Sequence, residues 1–327
     1  MIISRTPFRI SFFGGGTDFP EFYKEHGGAV LSTTIDKYCY IALHTLSPFF
    51  QHKFRASYAK TENVIAPAEF EHPLIRETLL YLNVTQGLEI AHVADLPART
   101  GLGSSSSFTV GLLHALHAFH AHRFTVADLA KEAIVIEREK VGDIGGHQDQ
   151  YAAAYGGLIR LDFFKNKKVS VKQLTLGSSR LAEFERHLML FYTGLEQSSG
   201  VILRKQQQRT WENTATLIQI KKMVGNAENI LTGKQSLEKF GRLMHEAWCL
   251  KKSLSCGISN TAIDLAYEAA LKSGAWGGKL LGAGGRGFLL VFANPARHAD
   301  IRLALATLRE VTFKCNSAGS EIIFHAP

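Results

Sequence analysis

Residues 96–107 of the chain read LPARTGLGSSSS, and an apolar segment, residues 108–121, follows them directly. Pro97 fixes its own φ and lacks an N–H group, whereas Gly101 and Gly103 let the backbone turn tightly, so the stretch is predicted to begin as a loop. The serines stand where a helix is predicted to begin. A glycine loop that leads into a helix N-terminus is typical of a phosphate-binding site, because the first N–H groups of the helix have no partners within it. A serine-capped helix after an ordinary loop fits the same residues equally well.

Length and charge narrow the class of protein. A chain of 327 residues is long for one hydrophobic core, so two domains are expected. The apolar fraction of 46% is that of a globular protein. The net charge of +8 favours an anionic ligand, such as a nucleotide, a sugar phosphate or a nucleic acid. Nucleic acid is disfavoured, because the basic residues are scattered and form no arginine-rich or aromatic-basic tract.

The cysteine spacing and the hydropathy pattern indicate the cellular compartment in which the protein is expected. The four cysteines are Cys39, Cys249, Cys256 and Cys315, and no two of them form a C-x-x-C pair. This spacing argues against a zinc site or a disulfide framework and fits a reducing cytoplasm. The first ten residues lack the apolar core of a secretion signal, and no uncharged apolar run is long enough to span a bilayer. A cytoplasmic protein with no membrane partner is therefore expected.

The N-terminal segment predicts a strand that ends in a glycine turn. In residues 2–13, Arg9 and Ser11 alternate with apolar residues, which is the period of a strand with two unlike faces. Residues 14–18 read GGGTD and leave backbone N–H groups exposed to a ligand. Asp18 can accept hydrogen bonds from sugar hydroxyls, or it can cap a helix predicted over residues 19–25.

The later elements alternate between strands and helices. Strands are predicted over residues 30–35, 38–44, 51–58, 88–93, 158–163, 188–192, 279–281, 288–292, 311–315 and 321–324. Helices are predicted over residues 73–82, 150–155, 198–226, 235–254, 261–273 and 295–309, besides one that runs on through residues 108–122 and one that begins at Thr125. The order of elements beyond residue 178 indicates a second domain of the α+β class.

Two carboxylates stand out in the middle of the chain. Thr125 and Asp128 form a capping-box pattern, and Glu137 falls on the apolar face of the helix that follows. A carboxylate there needs a partner, either Mg²⁺ or an arginine or lysine. Asp149 follows a glycine-rich turn at the start of the next helix. The residues alone leave open an N-terminal cap, which is the commoner use, and a catalytic base.

Two common nucleotide-binding schemes do not fit this sequence. The usual P-loop fails, because Leu280 rather than Ser or Thr follows Lys279. Residues 282–287 satisfy G-x-G-x-x-G, but a strand-like segment, residues 288–292, follows where a dinucleotide fold has a helix. The protein-kinase catalytic set is also missing.

The glycine-rich segments together resemble the GHMP kinase superfamily. PARTGLGSSS, residues 97–106, is similar to its phosphate-binding motif; PFRISFFGGGTD, residues 7–18, is similar to its first motif; and LGAGGRGF, residues 281–288, is similar to its third. Residues 142–150 resemble the loop that carries the acidic residue of the family. The resemblance covers the whole chain with the motifs in the right order.

That resemblance implies a fold. The expected architecture is α+β with two domains. Residues 1–180 would form an N-terminal domain like ribosomal protein S5, which binds nucleotide and sugar. Residues 181–327 would form a ferredoxin-like α/β C-terminal domain.

The resemblance also implies roles residue by residue. Asp149 would be the general base and Arg9 the cation beside it, while ATP would bind with Mg²⁺ held by Ser105 and Glu137. The implied nucleotide-binding residues are Pro97, Gly101, Leu102, Gly103, Ser104, Ser105 and Ser106. The implied substrate-binding residues are Gly14, Gly15, Gly16, Thr17, Asp18, Gly145, Gly146, His147, Gly284 and Gly285.

Departures from the superfamily pattern narrow the substrate. Gly15 and Gly16 stand where galactokinases have a Glu-His pair, which argues against galactose. The GGGTD form most resembles the kinases of D-glycero-D-manno-heptose 7-phosphate, followed by the sugar-1-kinase part of fucokinases. The resemblance therefore implies ATP-dependent phosphorylation of the C1 hydroxyl of heptose 7-phosphate, giving the 1,7-bisphosphate for nucleotide-heptose and surface polysaccharide biosynthesis.

Several alternatives stay open at this point. One is a fucokinase-like or other sugar 1-kinase, and another is a non-catalytic regulator that binds sugar or nucleotide. Arg286 replaces a glycine of the third motif, and it either reaches an anionic substrate or lies outside the site. The oligomeric state, including a homodimer, is not fixed by the sequence.

Overall fold

The structure is a computed structural model that describes residues 1–194, 199–316 and 318–326. Its strands are β1 (Ile2–Phe13), β2 (Gly28–Thr45), β3 (Phe54–Ser57), β4 (Thr61–Val64), β5 (Leu88–Ala94), β6 (Leu158–Phe163), β7 (Val169–Gln173), β8 (Leu188–Tyr192), β9 (Ala275–Leu280), β10 (Phe288–Ala293), β11 (Arg309–Glu310), β12 (Cys315–Asn316) and β13 (Glu321–His325). Its α-helices are α1 (Pro20–His26), α2 (Pro73–Tyr81), α3 (Ser104–Phe119), α4 (Val126–Ile134), α5 (Gln148–Tyr155), α6 (Ser178–Arg186), α7 (Ser199–Gln208), α8 (Thr214–Thr232), α9 (Glu238–Ser253), α10 (Thr261–Lys272) and α11 (His298–Ala304). Short 3-10 turns cover Pro67–Glu69 and Pro295–Arg297, and a π-helical turn covers Val135–Lys140.

The larger sheet is built around β1 and β2. Its strand order is β13-β1-β2-β5-β3-β4, with β6 and β12 also paired to β2 and with β7 paired to β6. The pairing is antiparallel except between β3 and β5. Helix α3 packs on β1 and β2, so the apolar helix expected from the sequence is central. The capping box at the start of α4 is confirmed, with reciprocal bonds between Thr125 and Asp128.

The smaller sheet forms the second unit. Its order is β11-β8-β10-β9, all antiparallel, and helices α9 and α10 pack against β9. The end of the chain leaves this unit, because β12 and β13 return to the larger sheet and pair with β2 and β1. Backbone groups at the edge of β1 are thereby satisfied by residues more than 300 positions away.

Strand β1 is buried more completely than its alternating pattern predicts. Arg9 is 4% exposed and Ser11 is 6% exposed, although both were expected on a polar face. The reason is that β1 lies between α3 on one side and helices of the second unit on the other. A buried arginine needs an anionic or hydrogen-bonding partner, so the groups that contact the Arg9 guanidinium matter for the site described below.

A buried aromatic cluster joins the two units. Phe12 of β1 lies edge-on to Phe184 of α6 and Phe240 of α9, at ring centroid distances of 5.5 and 5.7 Å. Phe292 of β10 lies 5.2 Å from Phe240. All four side chains are fully buried, and such pairs add to the stabilisation from burial itself. The cluster therefore fixes β1, and with it Arg9, against the second unit.

Other differences from the expected elements are local. Residues 30–35 and 38–44 belong to the single strand β2, and residues 311–315 form no continuous strand, because β11 and β12 pair in different sheets. The long helical segment divides into α7 and α8; its first predicted residue, Ser198, lies outside the described residues. The predicted helix over residues 295–309 ends earlier, at Ala304.

The helices can be compared with the expectation that no segment spans a bilayer. Among the described residues, every helix is too short or too polar to cross a membrane.

Candidate active site

A cleft of about 730 Å³ runs between the two units. The first unit supplies its wall from β1, the 14–18 turn, the start of α3 and the residues around α5. The second unit supplies residues of α7, α9, β9 and the 282–287 loop. The sequence motifs, although far apart along the chain, therefore meet at one opening.

Arg9 and Asp149 form a two-bond ion pair at the cleft. Arg9 Nε donates to Asp149 Oδ1 and Arg9 Nη2 donates to Oδ2, both at 2.7 Å. The remaining guanidinium nitrogen, Nη1, donates to the carbonyl of Gly101 at 2.7 Å. Asp149 is not the cap of α5: it lies in the first turn of the helix, and the side chain of Arg9 orients its carboxylate. Such forked arginine–carboxylate pairs hold both groups in a defined plane.

The glycine loop lies directly beside this pair. A Cβ built on Gly103 would stand 3.2 Å from Arg9 Cγ and 3.5 Å from Asp149 Oδ2. Gly101 is in contact with the loop of the second unit, where a Cβ on Gly282 would lie 2.4 Å from the Cα of Gly101. A side chain at Gly101 or at Gly282 would force the backbones of the two loops apart, which explains why both positions are glycine. The phosphate-type loop and the carboxylate are therefore close neighbours.

The four serines of the motif have four different environments. Ser104 accepts a hydrogen bond from the N–H of Arg99 at 3.0 Å, and Ser107 donates to the carbonyl of Pro7 at 2.8 Å. Ser105 is exposed and lines the cleft. Ser106 is buried and donates to Glu137 Oε2 at 3.0 Å. A helix turns by about 100° per residue, so Ser106 faces inward to Glu137 while Ser105 stays exposed in the cleft.

Glu137 is a buried carboxylate with one unsatisfied oxygen. It lies on the π-helical turn, is 1% exposed, and receives bonds at Oε2 from Ser106 and from Gln150 Nε2, the latter at 2.8 Å. Oε1 has no partner among the described residues. Burial raises the pKa of Glu137 to about 7, although Arg138 acts in the opposite direction. A cation at Oε1 would complete this arrangement.

Asp18 is buried beneath the same wall. Its Oδ1 accepts from the N–H of Gly16 at 2.9 Å and its Oδ2 accepts from the N–H of Gln148 at 3.2 Å. Burial and the neighbouring charge of Asp149 raise its pKa. Asp18 does not cap α1, whose cap residue Phe19 makes no side-chain bond; it binds the first turn of α5 instead. A Cβ on Gly146 would stand 1.9 Å from Asp18 Oδ2, so only glycine fits there.

Other predicted residues divide into two groups. The predicted residues that line the cleft, besides those already described, are Gly15, Gly16, Gly145, Gly146 and Gly284. The predicted residues that do not line it are Gly14, Thr17, Pro97, Leu102, His147 and Gly285. Two of these residues make contacts that stabilise the loops behind the cleft wall. Thr17 Oγ1 donates to the carbonyl of Gly14 at 2.8 Å, and His147 Nδ1 lies 3.2 Å from the hydroxyl of Tyr23. Arg286, whose place relative to the site the sequence left open, is 8% exposed and lines the cleft.

Two lysines of the second unit, Lys251 and Lys279, also line the cleft, and neither belongs to one of the motifs described above. Lys251 Nζ donates to the carbonyl of Gly282 at 2.5 Å, and Lys279 Nζ donates to the carbonyls of Ser11 and Phe12 at 2.9 and 3.0 Å. Burial, reinforced by the charge of Arg9, lowers the pKa of Lys251 to about 8, and burial lowers the pKa of Lys279 well below its ordinary value. The only sequence signal was the net positive charge.

Four aromatic rings that contact one another form part of the cleft wall. His72 lies edge-on to Tyr58 at a centroid distance of 4.8 Å, and Phe108 lies 5.2 Å from His72 and 5.0 Å from His92. All four residues line the cleft, as do Gly101 and Gly103 of the glycine loop. A flat aromatic base would be accommodated by such a wall.

Comparison with known families and proteins also points to a kinase of the GHMP family. Residues 72–157 match the GHMP kinases N terminal domain and residues 226–308 match the GHMP kinases C terminal domain, which together span just over half of the chain. The D-glycero-alpha-D-manno-heptose 7-phosphate kinase of Campylobacter jejuni is 28% identical over 318 residues, covering 93% of each chain. The bifunctional fucokinase/GDP-fucose pyrophosphorylase of Arabidopsis thaliana is 27% identical over 90% of this chain, but this chain spans only 30% of that protein.

Solved structures share the fold. A crystal structure titled as a D-glycero-D-manno-heptose 1-phosphate kinase from Bacteriodes thetaiotaomicron superposes with a TM-score of 0.82 at 22% identity, covering all of both chains. The galactokinase of Lactococcus lactis superposes with a TM-score of 0.74 at 16% identity, covering 98% of this chain and 94% of that one. With both domain models matched in order, this chain belongs to the GHMP kinases and is an ATP-dependent sugar kinase.

Proposed function

We propose that the enzyme transfers the γ-phosphoryl group of ATP to the anomeric C1 hydroxyl of a sugar phosphate, with D-glycero-D-manno-heptose 7-phosphate as acceptor and the 1,7-bisphosphate as product. The observation that carries the proposal is the Arg9–Asp149 pair lying against the glycine loop, with 3.5 Å between a Cβ position on Gly103 and Asp149 Oδ2. The choice of sugar is supported by the Campylobacter jejuni relative, which aligns over nearly its full length.

Asp149 would act on the acceptor hydroxyl. The hydroxyl donates a hydrogen bond to the carboxylate, and its proton passes to Asp149 as the hydroxyl oxygen bonds to the γ-phosphorus and the bond to the leaving ADP breaks. Arg9 fixes the plane of the carboxylate and places positive charge beside the phosphoryl group in transit. Phosphoryl transfer depends mainly on positioning and charge, so a rigid pair of this kind suits it.

Glu137 would hold the Mg²⁺ that accompanies ATP. The fit rests on its unsatisfied buried oxygen Oε1, and Mg²⁺ commonly binds one or two carboxylates, waters and substrate phosphates rather than a full protein cage. Within the described ranges no group of three or more His, Cys, Asp or Glu side chains could hold a metal alone, which agrees with a site completed by phosphate oxygens. Ser106, which contacts Glu137, is the better placed hydroxyl than Ser105. Bound Mg²⁺ would neutralise phosphate charge.

The nucleotide would extend along one wall of the cleft. Backbone N–H groups at residues 101–106 would bind its phosphates, and the aromatic rings of Tyr58, His72, His92 and Phe108 would receive its base. The acceptor would then lie on the opposite side of Asp149, over Gly15, Gly16 and Asp18.

A fucokinase-like sugar 1-kinase is the second candidate. It is favoured by two relatives, from Arabidopsis thaliana and Bacteroides fragilis, whose names include fucokinase and which align over 90% and 91% of this chain. Both candidates share the anomeric hydroxyl as target and the same carboxylate. They differ only in what the acceptor side of the cleft must accommodate.

A phosphoryl-acceptor screen tests the proposal. The purified enzyme is supplied with ATP, Mg²⁺ and one of four acceptors: heptose 7-phosphate, mannose, fucose or galactose, and the position of the new phosphate is read by NMR. We expect the fastest turnover with heptose 7-phosphate and a new signal at C1. Faster turnover with fucose would favour the second candidate, and a phosphate at any position other than C1 would contradict both.

A further inference from the structure

A small polar space lies directly above Gly15. The three nearest heavy atoms to a Cβ built on Gly15 are Gln148 Nε2 at 3.7 Å, Lys251 Nζ at 3.9 Å and Ser11 Oγ at 3.9 Å. All three are ends of polar side chains that can donate hydrogen bonds, and they come from three separate elements, α5, α9 and β1. The same four residues line the cleft.

This space is not required by the backbone of Gly15. Gly14 and Gly16 have φ values of +88° and +101°, which disfavour other residues, but Gly15 has no positive φ. A methyl group there would meet its neighbours only at ordinary contact distances. The polar ends of Ser11, Gln148 and Lys251 therefore converge beside Gly15 on the cleft wall, where a ligand group in the cleft can reach them.

The polar groups around the space have bonding capacity left. Ser11 is 6% exposed, and within the described part of the chain neither its Oγ nor the buried Oε1 of Gln148 has a hydrogen-bond partner. Buried polar atoms are rarely left this way unless water, an ion or a ligand completes them.

Lys251 makes the space electropositive. Its ammonium donates to the Gly282 carbonyl, and no carboxylate within the described part of the chain comes within ion-pair distance of it. Asp149 is already neutralised by Arg9, and Asp18 is bonded to backbone N–H groups. The pKa of Lys251, lowered by burial to about 8, still leaves it charged at neutral pH.

We propose that Lys251, Ser11 and Gln148 form a subsite above Gly15 that binds the acceptor's own phosphate group, and that Lys251 selects a phosphorylated sugar over its unphosphorylated form. The inference rests on the proposed function, because it assigns the sugar phosphate to this side of the cleft. An ammonium, a hydroxyl and an amide around one space match the several oxygens of a phosphate group. A neutral sugar would leave the ammonium without an anionic partner.

The test compares binding of two ligands in the absence of ATP. Calorimetry measures the Kd of D-glycero-D-manno-heptose 7-phosphate and of unphosphorylated D-glycero-D-manno-heptose with the wild type, Lys251→Met, Lys251→Arg and Lys252→Met. Wild type should prefer the phosphorylated sugar, and Lys251→Met should reduce that preference about 10- to 100-fold, as expected for a lost charged hydrogen bond. Lys251→Arg should restore most of it.

Lys252→Met is the matched control, because Lys252 is the next residue of α9 and pairs with Asp264 at 3.0 Å outside the cleft. Its preference should equal that of wild type. Gly15→Val supplies an independent arm: it fills the space while leaving Lys251 in place, and it should weaken binding of the phosphorylated sugar more than that of the neutral one. Thermal melting of each variant verifies that it folds.

The outcomes separate this inference from the proposed function. An equal loss of affinity for both sugars in Lys251→Met, or an unchanged preference, would overturn the subsite. A preference that depends on Lys251, in an enzyme that transfers no phosphate to C1, would uphold the subsite and overturn the proposed reaction. Phosphate transfer to C1, with a preference for the phosphorylated sugar that is unchanged in Lys251→Met, would uphold the proposed reaction and overturn the subsite.

Discussion

Asp149 and Glu137 are two carboxylates on the same wall of the cleft, and they are held in opposite ways. Both oxygens of Asp149 accept bonds from Arg9, and its side chain remains 22% exposed to the cleft. Glu137 is 1% exposed, takes its hydrogen bonds on one oxygen and leaves the other without a partner among the described residues. The first arrangement presents an oriented anion to a substrate, and the second presents an incomplete one to a cation. Sequence position alone would not distinguish them.

Of the substitutions that test this difference between the two carboxylates, the replacement of Asp149 should change activity most. Asp149→Asn keeps the shape of the side chain but removes the charge and the proton acceptor, so kcat should fall by about 10²- to 10⁴-fold. The affinity for ATP should change little, since the carboxylate faces the acceptor. Steady-state kinetics with ATP and acceptor varied separately measure both quantities, and near-normal turnover would remove Asp149 from the proposed role.

Glu137→Gln should act on the metal instead. The amide keeps the hydrogen-bonding shape but loses the negative charge that faces the cleft, so the Mg²⁺ concentration for half-maximal rate should rise by at least about 10-fold. A titration of rate against free Mg²⁺ at saturating ATP measures the shift. If the Mg²⁺ dependence matched that of wild type, Glu137 would be purely structural.

The neighbouring serines sharpen the assignment further. Because Ser106 contacts Glu137 and Ser105 does not, Ser106→Ala should raise the Mg²⁺ requirement by about 3- to 10-fold, the scale of one hydrogen bond, and Ser105→Ala should raise it less. The same Mg²⁺ titration applies to both variants. A larger shift in Ser105→Ala would reverse the choice of hydroxyl.

The smallest predicted effect concerns stability against pH without metal or nucleotide. The pKa of Glu137 is raised from 4.5 to about 7 in the folded chain, so the folded state binds this proton more tightly than the unfolded state. Its stabilisation is complete below about pH 4.5 and is lost as the pH rises through about 7. Between pH 5 and pH 8, wild type should lose about 2 kcal/mol more unfolding free energy than Glu137→Gln. Denaturant unfolding in chelator measures the difference; identical pH profiles would contradict it.

The contribution of the sequence differs from residue to residue. The 97–106 loop, Arg9, Asp149 and Glu137 were all named from motifs, and the structure brings them together. The motif did not show which serine contacts Glu137, because adjacent residues of one motif differ only in their direction around the helix; the structure shows that Ser106 makes this contact. Lys251 was missed, because along the chain nothing distinguishes it from Lys252 on the same helix.

The sequence by itself determined that a glycine-serine loop precedes an apolar helix, that three glycine-rich segments occur in the order of a known kinase family, and that the chain carries excess positive charge. These properties are local, because each depends on residues within a few positions of one another. The tertiary structure alone decided which polar groups meet: Arg9 with Asp149 across 140 positions, and Lys279 with the carbonyls of Ser11 and Phe12 across the two units. It also decided that one oxygen of Glu137 is left without a partner among the described residues. Burial and pairing depend on groups far apart in the chain, and those are set only when the two sheets pack around the shared aromatic core.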